Sequence, residues 1–343
     1  MIFYLLKNHL SLEKNKYVSK FNVKMEKIAI LTSGGDAPGM NAHVRAVVRT
    51  ALDRGVEVYG VIGGYCGLIE GEFMELDRKS TANIISRGGT ILRTCRSKEF
   101  MMPGGRAAAA ESIRDQKIDG LIVCGGDGTF RGAHALWEEH QIPVIGTPGT
   151  IDNDIYGTMY TIGYDTAINT AAEAIDRIRD TADSHGRVFL VEVMGRHAGF
   201  IALDVGISCG AEFIAVPETV TNLDILFQRI LKQGKKRRTI VIVGEGDEIG
   251  NATEIAAQLK DKYDIESKVT ILGHIQRGGS PTVRDRVLAS HLGMAAVDAL
   301  LEGQTDIMVG RTFHDIEYTP FEDTWTKEKS LPDYLVSLAD LLA

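Results

Sequence analysis

The chain has 343 residues, a formal net charge of −8 and 44% hydrophobic side chains, with a mean hydropathy of −0.03. That length exceeds what one pair of layers comfortably encloses, so two subdomains of a globular protein are expected. The acidic balance argues against binding nucleic acid or an anionic membrane, and no apolar run reaches the roughly 18 residues that a transmembrane helix needs.

The first 24 residues carry an apolar start and a mixed, basic continuation, and a strand begins at Lys27, just after Met25. They read as a disordered extension, and a start chosen too far upstream would account for them. An organellar address is the alternative. From Lys27 the chain alternates apolar runs with amphipathic segments. Ile28 to Leu31 reads as a strand, Gly34 to Gly39 as a loop, and Met40 to Asp53 as a helix with Val44, Val47 and Val48 on one face. Val56 to Ile62 is the next strand. Leu121 to Cys124 is another, leading into Gly125-Gly126-Asp127-Gly128-Thr129 and a helix through Glu138. Ile142 to Ile145 is a buried strand that ends in Pro148-Gly149-Thr150-Ile151-Asp152-Asn153-Asp154. A long helix over Thr166 to Thr181 follows. Strands at Val188 to Val193, Phe213 to Val216, Thr239 to Val243 and Val269 to Leu272 come next, with helices between them, and Thr282 to Leu301 is helical again. Repeated β-α-β order implies parallel sheets covered on both faces, hence an α/β fold. No glycine- or proline-rich linker separates the two halves, so the subdomain boundary must be a tight crossing.

Glycine is in excess, at 37 residues against a usual share of about 7%. The surplus falls in loops after apolar runs, where backbone N–H groups and helix N-termini can cradle phosphate. Gly34 to Asn41 is such a loop, but it lacks the spacing of a P-loop or a dinucleotide fingerprint. In the second loop Asp127 is the one carboxylate, and it would repel a nucleotide unless Mg²⁺ stood between them. Its plainer reading is a helix cap. Asp152 and Asp154 lie two residues apart beside the Thr150 hydroxyl, at the carboxyl end of a strand where open α/β sheets bind ligands. Asp152 suits a general base and Asp154 a positioner or a metal neighbour. Their plainer reading is an Asx-type turn. Cys66, Cys95, Cys124 and Cys209 form no CxxC and have no His-rich partner, which fits a reducing, cytoplasmic setting without structural zinc.

The stretches GGDAPGMN, GGDGT and PGTIDND occur in that order, joined by Met194-Gly195-Arg196, Gly244-Glu245-Gly246 and His274-Ile275-Gln276-Arg277-Gly278-Gly279. This ordered set resembles the bacterial ATP-dependent 6-phosphofructokinases from about Met25 through at least Arg311. No single stretch would suffice, since GGDGT also occurs in NAD and lipid kinases. The resemblance implies a larger N-terminal ATP and Mg²⁺ subdomain (25–162 plus 276–326) and a smaller fructose 6-phosphate subdomain (163–275 plus 327–343), each a three-layer unit with a parallel sheet.

By the same resemblance, Asp152 takes the proton from the sugar's 1-hydroxyl. Thr150 and Asp154 flank the transferring group, Asp127 holds Mg²⁺ and Arg196 meets transition-state charge. Gly35, Arg96, Ser97, Gly126, Gly128 and Thr129 match ATP-binding positions. Ile151, Met194, Gly195, Arg196, Glu245, His274, Ile275, Gln276 and Arg277 fall in the sugar-phosphate pocket. Arg187 and Lys268 match two positions that reach that pocket from a neighbouring subunit, which implies a homotetramer. Lys268 departs from the usual Arg, keeping the charge but losing bidentate geometry. Gly128 and Gly149 stand where pyrophosphate users carry Asp and Lys, and their small size leaves room for a nucleotide's α-phosphate, favouring ATP. Arg45, Arg49, Arg179, Gly210, Glu212, Lys235, Lys236 and Arg237 match an inter-subunit effector site for ADP or phosphoenolpyruvate, although a run such as 235–238 is otherwise a solvated turn. Two further readings stay open, a pyrophosphate-dependent enzyme and a non-catalytic nucleotide-sensing subunit. The second usually lacks the base or metal carboxylate, and this chain keeps Asp127, Asp152 and Asp154.

Overall fold

A computed structural model describes residues 25–342 apart from 186, 234–237 and 314. The expected extension at 1–24, and Lys235, Lys236 and Arg237 of the effector set, lie outside the described residues. In chain order the first half runs β1 (Lys27–Thr32), α1 (Met40–Asp53), β2 (Glu57–Val61), α2 (Gly64–Glu70), β3 (Phe73–Leu76), α3 (Pro103–Asp115), β4 (Gly120–Gly125), α4 (Asp127–His140) and β5 (Val144–Pro148). A long helix α5 (Tyr164–His185) leads to β6 (Val188–Val193), α6 (Phe200–Ser208), β7 (Phe213–Ala215), α7 (Leu223–Gln233), β8 (Thr239–Gly244), α8 (Ala252–Tyr263) and β9 (Ser267–Ile271). A 3-10 turn, Gly273–Arg277, returns the chain to α9 (Val283–Leu301), β10 (Ile307–Arg311), β11 (Ile316–Pro320), α10 (Asp323–Thr326) and α11 (Asp333–Leu342).

Two sheets result, ordered β11-β10-β5-β4-β1-β2-β3 and β7-β8-β6-β9. Alternation along the strands builds both faces of the larger one. Ile28, Ile30, Ile122 and Cys124 pack with α1 and α9, while Ala29, Leu31, Leu121 and Val123 pack with residues of α2, α3 and α4. The first of these clusters continues without a break into Ala167, Ile175, Val191 and Ile201, so α1, α9, α5 and α6 share one core between the sheets.

Three features differ from the sequence expectation. The larger sheet is mixed, because its edge strands β3 and β11 run antiparallel to their neighbours. These short strands follow turns and lack the long apolar runs that marked the central ones. The long helix also starts earlier than Thr166 and ends later than Thr181. Its start is held by Asp285 of α9, buried at 1% exposure, which accepts from Gly163 N (3.0 Å), Thr166 N (2.8 Å) and Thr166 Oγ1 (2.5 Å). Finally, Cys66 and Cys95 form a disulfide, with Cα atoms 6.3 Å apart, where four free thiols were expected. Their separation of 29 residues hid a proximity that the fold creates by laying the Arg93-to-Ser97 loop against α2. Cys124 and Cys209 are buried and free.

Candidate active site

The site begins with strand order. β5, β4 and β1 are adjacent and parallel, so their carboxyl ends open on one edge and bring their three loops together. Backbone bonds stitch that edge, from Ser33 N to Cys124 O (3.0 Å) and from Gly149 N to Gly125 O (2.9 Å). A fourth loop joins through Thr32 Oγ1, which donates to Arg93 O at 2.8 Å, and Thr94 Oγ1, which donates to Gly34 O at 2.7 Å. These contacts carry the exposed Arg96 and the half-buried Ser97 to the two glycine loops.

Thr129 is 3% exposed and its Oγ1 is buried without a partner, beside Gly125 and 3.7 Å from where a Cβ on Gly34 would stand. An unsatisfied buried hydroxyl is costly, and this one lies against the backbone of the second glycine loop. Asp127 opens α4, whose N-cap is Gly126 with no side-chain cap bond, so the Asp127 carboxylate is not spent on capping. It is 42% exposed, and its nearest cation is Arg131 at 3.8 Å. Among the described residues no group of three or more His, Cys, Asp or Glu is arranged for a metal. A magnesium ion here would take one carboxylate, with phosphate and water oxygens completing it, which is how Mg²⁺ is usually held. Tyr65, absent from the sequence expectations, supports this helix start: its hydroxyl donates to Thr129 O at 2.6 Å and its ring stacks on Phe100.

On the third loop the turn bonds are made by the neighbours of the carboxylates. Thr150 Oγ1 accepts from Asp152 N, Asn153 Oδ1 accepts from Thr161 N, and Thr161 Oγ1 donates to Thr150 O. The Asp152 carboxyl is bonded by the Thr150 hydroxyl and the Asp154 carboxyl by its own backbone N–H, so neither caps another turn. Asp152 is 8% exposed. Burial, then the charge of Asp154, pushes its carboxyl up to about 6 against the opposing pull of Arg196. Asp154 is also raised, by burial and then by the Asp127 charge. Lys329 lies behind this loop, and burial depresses its ammonium to about 7. A cavity of about 540 Å³ lined by Tyr156, Met159, Phe313, Tyr318 and Lys327 lies nearby and contains none of the site residues.

The smaller unit supplies the opposite wall. β6 ends at Val193, and the chain turns through Met194, Gly195 (φ 146°) and Arg196 (φ 56°). A Cβ on Gly195 would stand 2.3 Å from Ala198 O, so only glycine permits this turn. Arg196 N donates to Glu245 Oε2 at 3.3 Å, and the charges of Arg196 and Glu245 both act on Asp152. In the turn after β9, His274 and Ile275 are exposed, while Gln276 is fully buried with Oε1 unpartnered.

Four further residues of the expected set have local surroundings of their own. Arg277 pairs with Asp36 Oδ1 at 2.8 Å and donates to Asp36 O, covering Gly35, so in this state it belongs to the first glycine loop rather than standing free for a sugar phosphate. A Cβ on Gly149 would meet Cys124 Sγ at 2.6 Å, so its smallness serves packing against β4. A Cβ on Gly128, by contrast, has no described residue beyond its own helix turn within 4 Å. Arg187 precedes β6, and Lys268 on β9 pairs in register with Phe189 of β6. Both sit at the amino end of the smaller sheet, whereas Arg196 and Glu245 follow its carboxyl end, about 20 Å away along a six-residue strand.

Of the effector set, Arg45 and Arg49 lie on α1, and burial followed by the Arg49 charge lowers Arg45. Among the described residues, Nε and Nη2 of Arg179 on α5 are buried without a partner, and its guanidinium faces Gly210. Glu212 accepts from Ile240 N at 2.6 Å, so its carboxylate is occupied with the strand backbone.

A mixed sheet whose carboxyl-end loops carry Asp127, Asp152 and Asp154, beside a parallel sheet whose Arg196 turn acts on Asp152, defines a phosphoryl-transfer protein. The phosphofructokinase family model matches residues 27–300, and the chain belongs to that family. It is 54% identical over 322 residues to the ATP-dependent 6-phosphofructokinase 1 of Thermus thermophilus, covering 93% of this chain and 100% of that one. It is 52% identical to the ATP-dependent enzyme of Cytophaga hutchinsonii, covering 93% and 98%. Among solved structures, phosphofructokinase from Saccharomyces cerevisiae superposes with a TM-score of 0.79 at 36% identity, over 92% of this chain and 46% of that longer one. The pyrophosphate-dependent enzyme of Marinobacter aquaeolei, at 24% identity and a TM-score of 0.79, over 90% of this chain and 86% of that one, shares the fold.

Proposed function

We propose that this chain transfers the γ-phosphoryl group of ATP to the 1-hydroxyl of D-fructose 6-phosphate, giving ADP and fructose 1,6-bisphosphate, with Asp152 as the general base. The observation that carries this reading is the placement of Asp152. It is buried, its carboxyl is bonded by the Thr150 hydroxyl, and the charges of Asp154 and Arg196 act on it from opposite directions. Phosphoryl transfer needs chiefly positioning and charge neutralisation, and this arrangement offers both. The sugar O1 gives its proton to Asp152 as the O1–Pγ bond forms. The bond from Pγ to the β,γ-bridging oxygen breaks, and ADP leaves. Arg196 offsets the charge on the moving oxygens, and Thr150 and Asp154 hold the loop around them. Asp127 would hold Mg²⁺, which neutralises the β- and γ-phosphates when bound. Gly35, Arg96, Ser97, Gly126, Gly128 and Thr129 cradle the nucleotide.

The sugar phosphate is held by Met194, Gly195, Glu245 and His274, and by Arg277 once it releases Asp36. Arg187 and Lys268 act from a neighbouring subunit of a homotetramer, a reading supported by their distance from their own chain's Arg196. Exposed apolar residues at one-face spacing on α9 support assembly: Val283 is 75% exposed, Val287 56% and Met294 42%. ADP or phosphoenolpyruvate acts as effector between subunits, where the unpartnered Arg179 nitrogens and the Arg45–Arg49 pair offer cations to an anionic ligand. Soluble glycolytic enzymes of this kind work in the cytoplasm, and among the described residues no helix is long and apolar enough to cross a membrane.

A coupled assay decides the donor. Turnover with ATP and fructose 6-phosphate, and none with pyrophosphate, is the expected result. Turnover with pyrophosphate alone would reject the donor assignment, and turnover with neither would make the chain a nucleotide-sensing subunit.

A further inference from the structure

Between the end of α10 at Thr326 and the start of α11 at Asp333, the chain passes over the seam between the two units. Lys329 lies in that passage. Its Nζ donates to Asn153 Oδ1 at 2.8 Å and to Met159 O at 3.1 Å, and sits 5.0 Å from the centroid of the Phe200 ring. Asn153 and Met159 belong to the loop that carries Asp152. Phe200 opens α6, which directly follows the Arg196 turn. One ammonium therefore touches the loop of the base and the helix behind the opposing arginine.

Asn153 is the residue between the two functional carboxylates. It holds a left-handed φ of 56°, and its Oδ1 accepts from both Thr161 N (3.0 Å) and Lys329. At that φ successive side chains are thrown to different sides of the chain, so the direction of Asp152 relative to Asp154 depends on keeping Asn153 in place. Taking an ammonium out of water to make two such bonds is costly, and an apolar side chain would pack against Phe200 without that cost. What an apolar residue cannot do is donate to Asn153.

We propose that Lys329 is a positioning residue for phosphoryl transfer, acting through Asn153 to hold the Asp152 and Asp154 carboxylates in register with Arg196 across the seam. The charge of Lys329 also favours the ionised form of Asp154, alongside the bond to Asn153. The inference rests on the kinase reading above, and it adds that the segment entering the last helix is part of the catalytic framework.

The test is a double-mutant cycle on the full-length protein, with Lys329→Met and Asn153→Gly made singly and together. Lys329→Met keeps the length of the stem, and Asn153→Gly tolerates the left-handed backbone. Each single variant should lower kcat on the order of 10²-fold, the scale set by misplacing a reacting group by about 1 Å. KM for ATP and for fructose 6-phosphate should stay within about threefold, because neither side chain contributes to uniform binding. The double variant should be no slower than the slower single one, and Lys329→Arg should recover part of the loss. An undiminished kcat in Lys329→Met with a lowered melting temperature would make the residue a structural pin. Losses that multiply in the double variant would mean that Lys329 does not act through Asn153. Should Lys329→Met not fold, Asn153→Gly alone decides, since full kcat there removes the link. A wild-type protein that fails to turn over fructose 6-phosphate strikes the kinase reading itself, which separates that failure from this one.

Discussion

At the scale of single residues, Asp152 concentrates the chemistry. A carboxyl raised to about 6 is still ionised at neutral pH yet is a stronger base than an ordinary aspartate, which is the tuning a general base needs. Because the ionised form is the active one, protonation removes activity. kcat/KM should fall about tenfold per pH unit below pH 6, and a profile flat down to pH 5 would exclude Asp152 as the titrating base. Asp152→Asn should lower kcat on the order of 10²- to 10⁴-fold with little change in KM, measured at saturating ATP. Gly128 tests the donor by another route. Beyond its own helix turn, no described residue lies within 4 Å of a Cβ there, so Gly128→Asp should leave the fold alone and place a carboxylate beside the proposed nucleotide phosphates. KM for ATP should rise at least about tenfold, equivalent to roughly 1.4 kcal/mol, with thermal stability unchanged. Gly149 does not offer the same test, because any side chain there strikes Cys124.

At the scale of elements, helix starts separate stability from function. The N-terminus of α8 is closed by a capping box in which Asn251 accepts from Thr253 N and Glu254 N, while the Glu254 side chain accepts from Asn251 N. Asn251→Ala should cost about 1 kcal/mol in denaturant unfolding and leave kcat unchanged, since α8 lines the outer face of the smaller sheet. Asp285 is the opposite case. Asp285→Ala strands the buried donors of Gly163 and Thr166, each costing about 1–3 kcal/mol. A total loss of at least about 3 kcal/mol is expected, together with reduced turnover, because α5 is the rod joining the base loop to the sugar wall. Equal effects of the two substitutions on activity would mean that α5 does not transmit position.

At the scale of the whole molecule, Arg187 and Lys268 sit at the wrong end of the smaller sheet for their own crevice. If they serve a neighbour's, Arg187→Ala should raise KM for fructose 6-phosphate while sparing ATP. Co-expression of Arg187→Ala with Asp152→Asn should then recover activity that neither variant has alone. A hybrid assembly contains crevices whose Asp152 and incoming Arg187 are both intact, whereas a monomeric enzyme contains none. Absence of recovery in purified hybrids would place Arg187 outside the site.

The βα loops were legible as glycine-rich turns after apolar runs, but their chemistry was read from the ordered set of motifs, since each aspartate alone reads equally well as a cap. Also legible were β1, β4, β5, β6 and β8, whose buried apolar runs announce central parallel strands. The edge strands β3 and β11, the disulfide between Cys66 and Cys95, the Asp36–Arg277 pair and the reach of Lys329 to Asn153 were not legible. Each depends on segments far apart in the chain meeting at a particular distance, and no local pattern encodes that distance. The amino-acid order alone thus determined the family and the turns on which its candidate carboxylates ride. Packing of α5 and α9 between two sheets decided how those turns face one another, because only a shared core sets the spacing across a crevice.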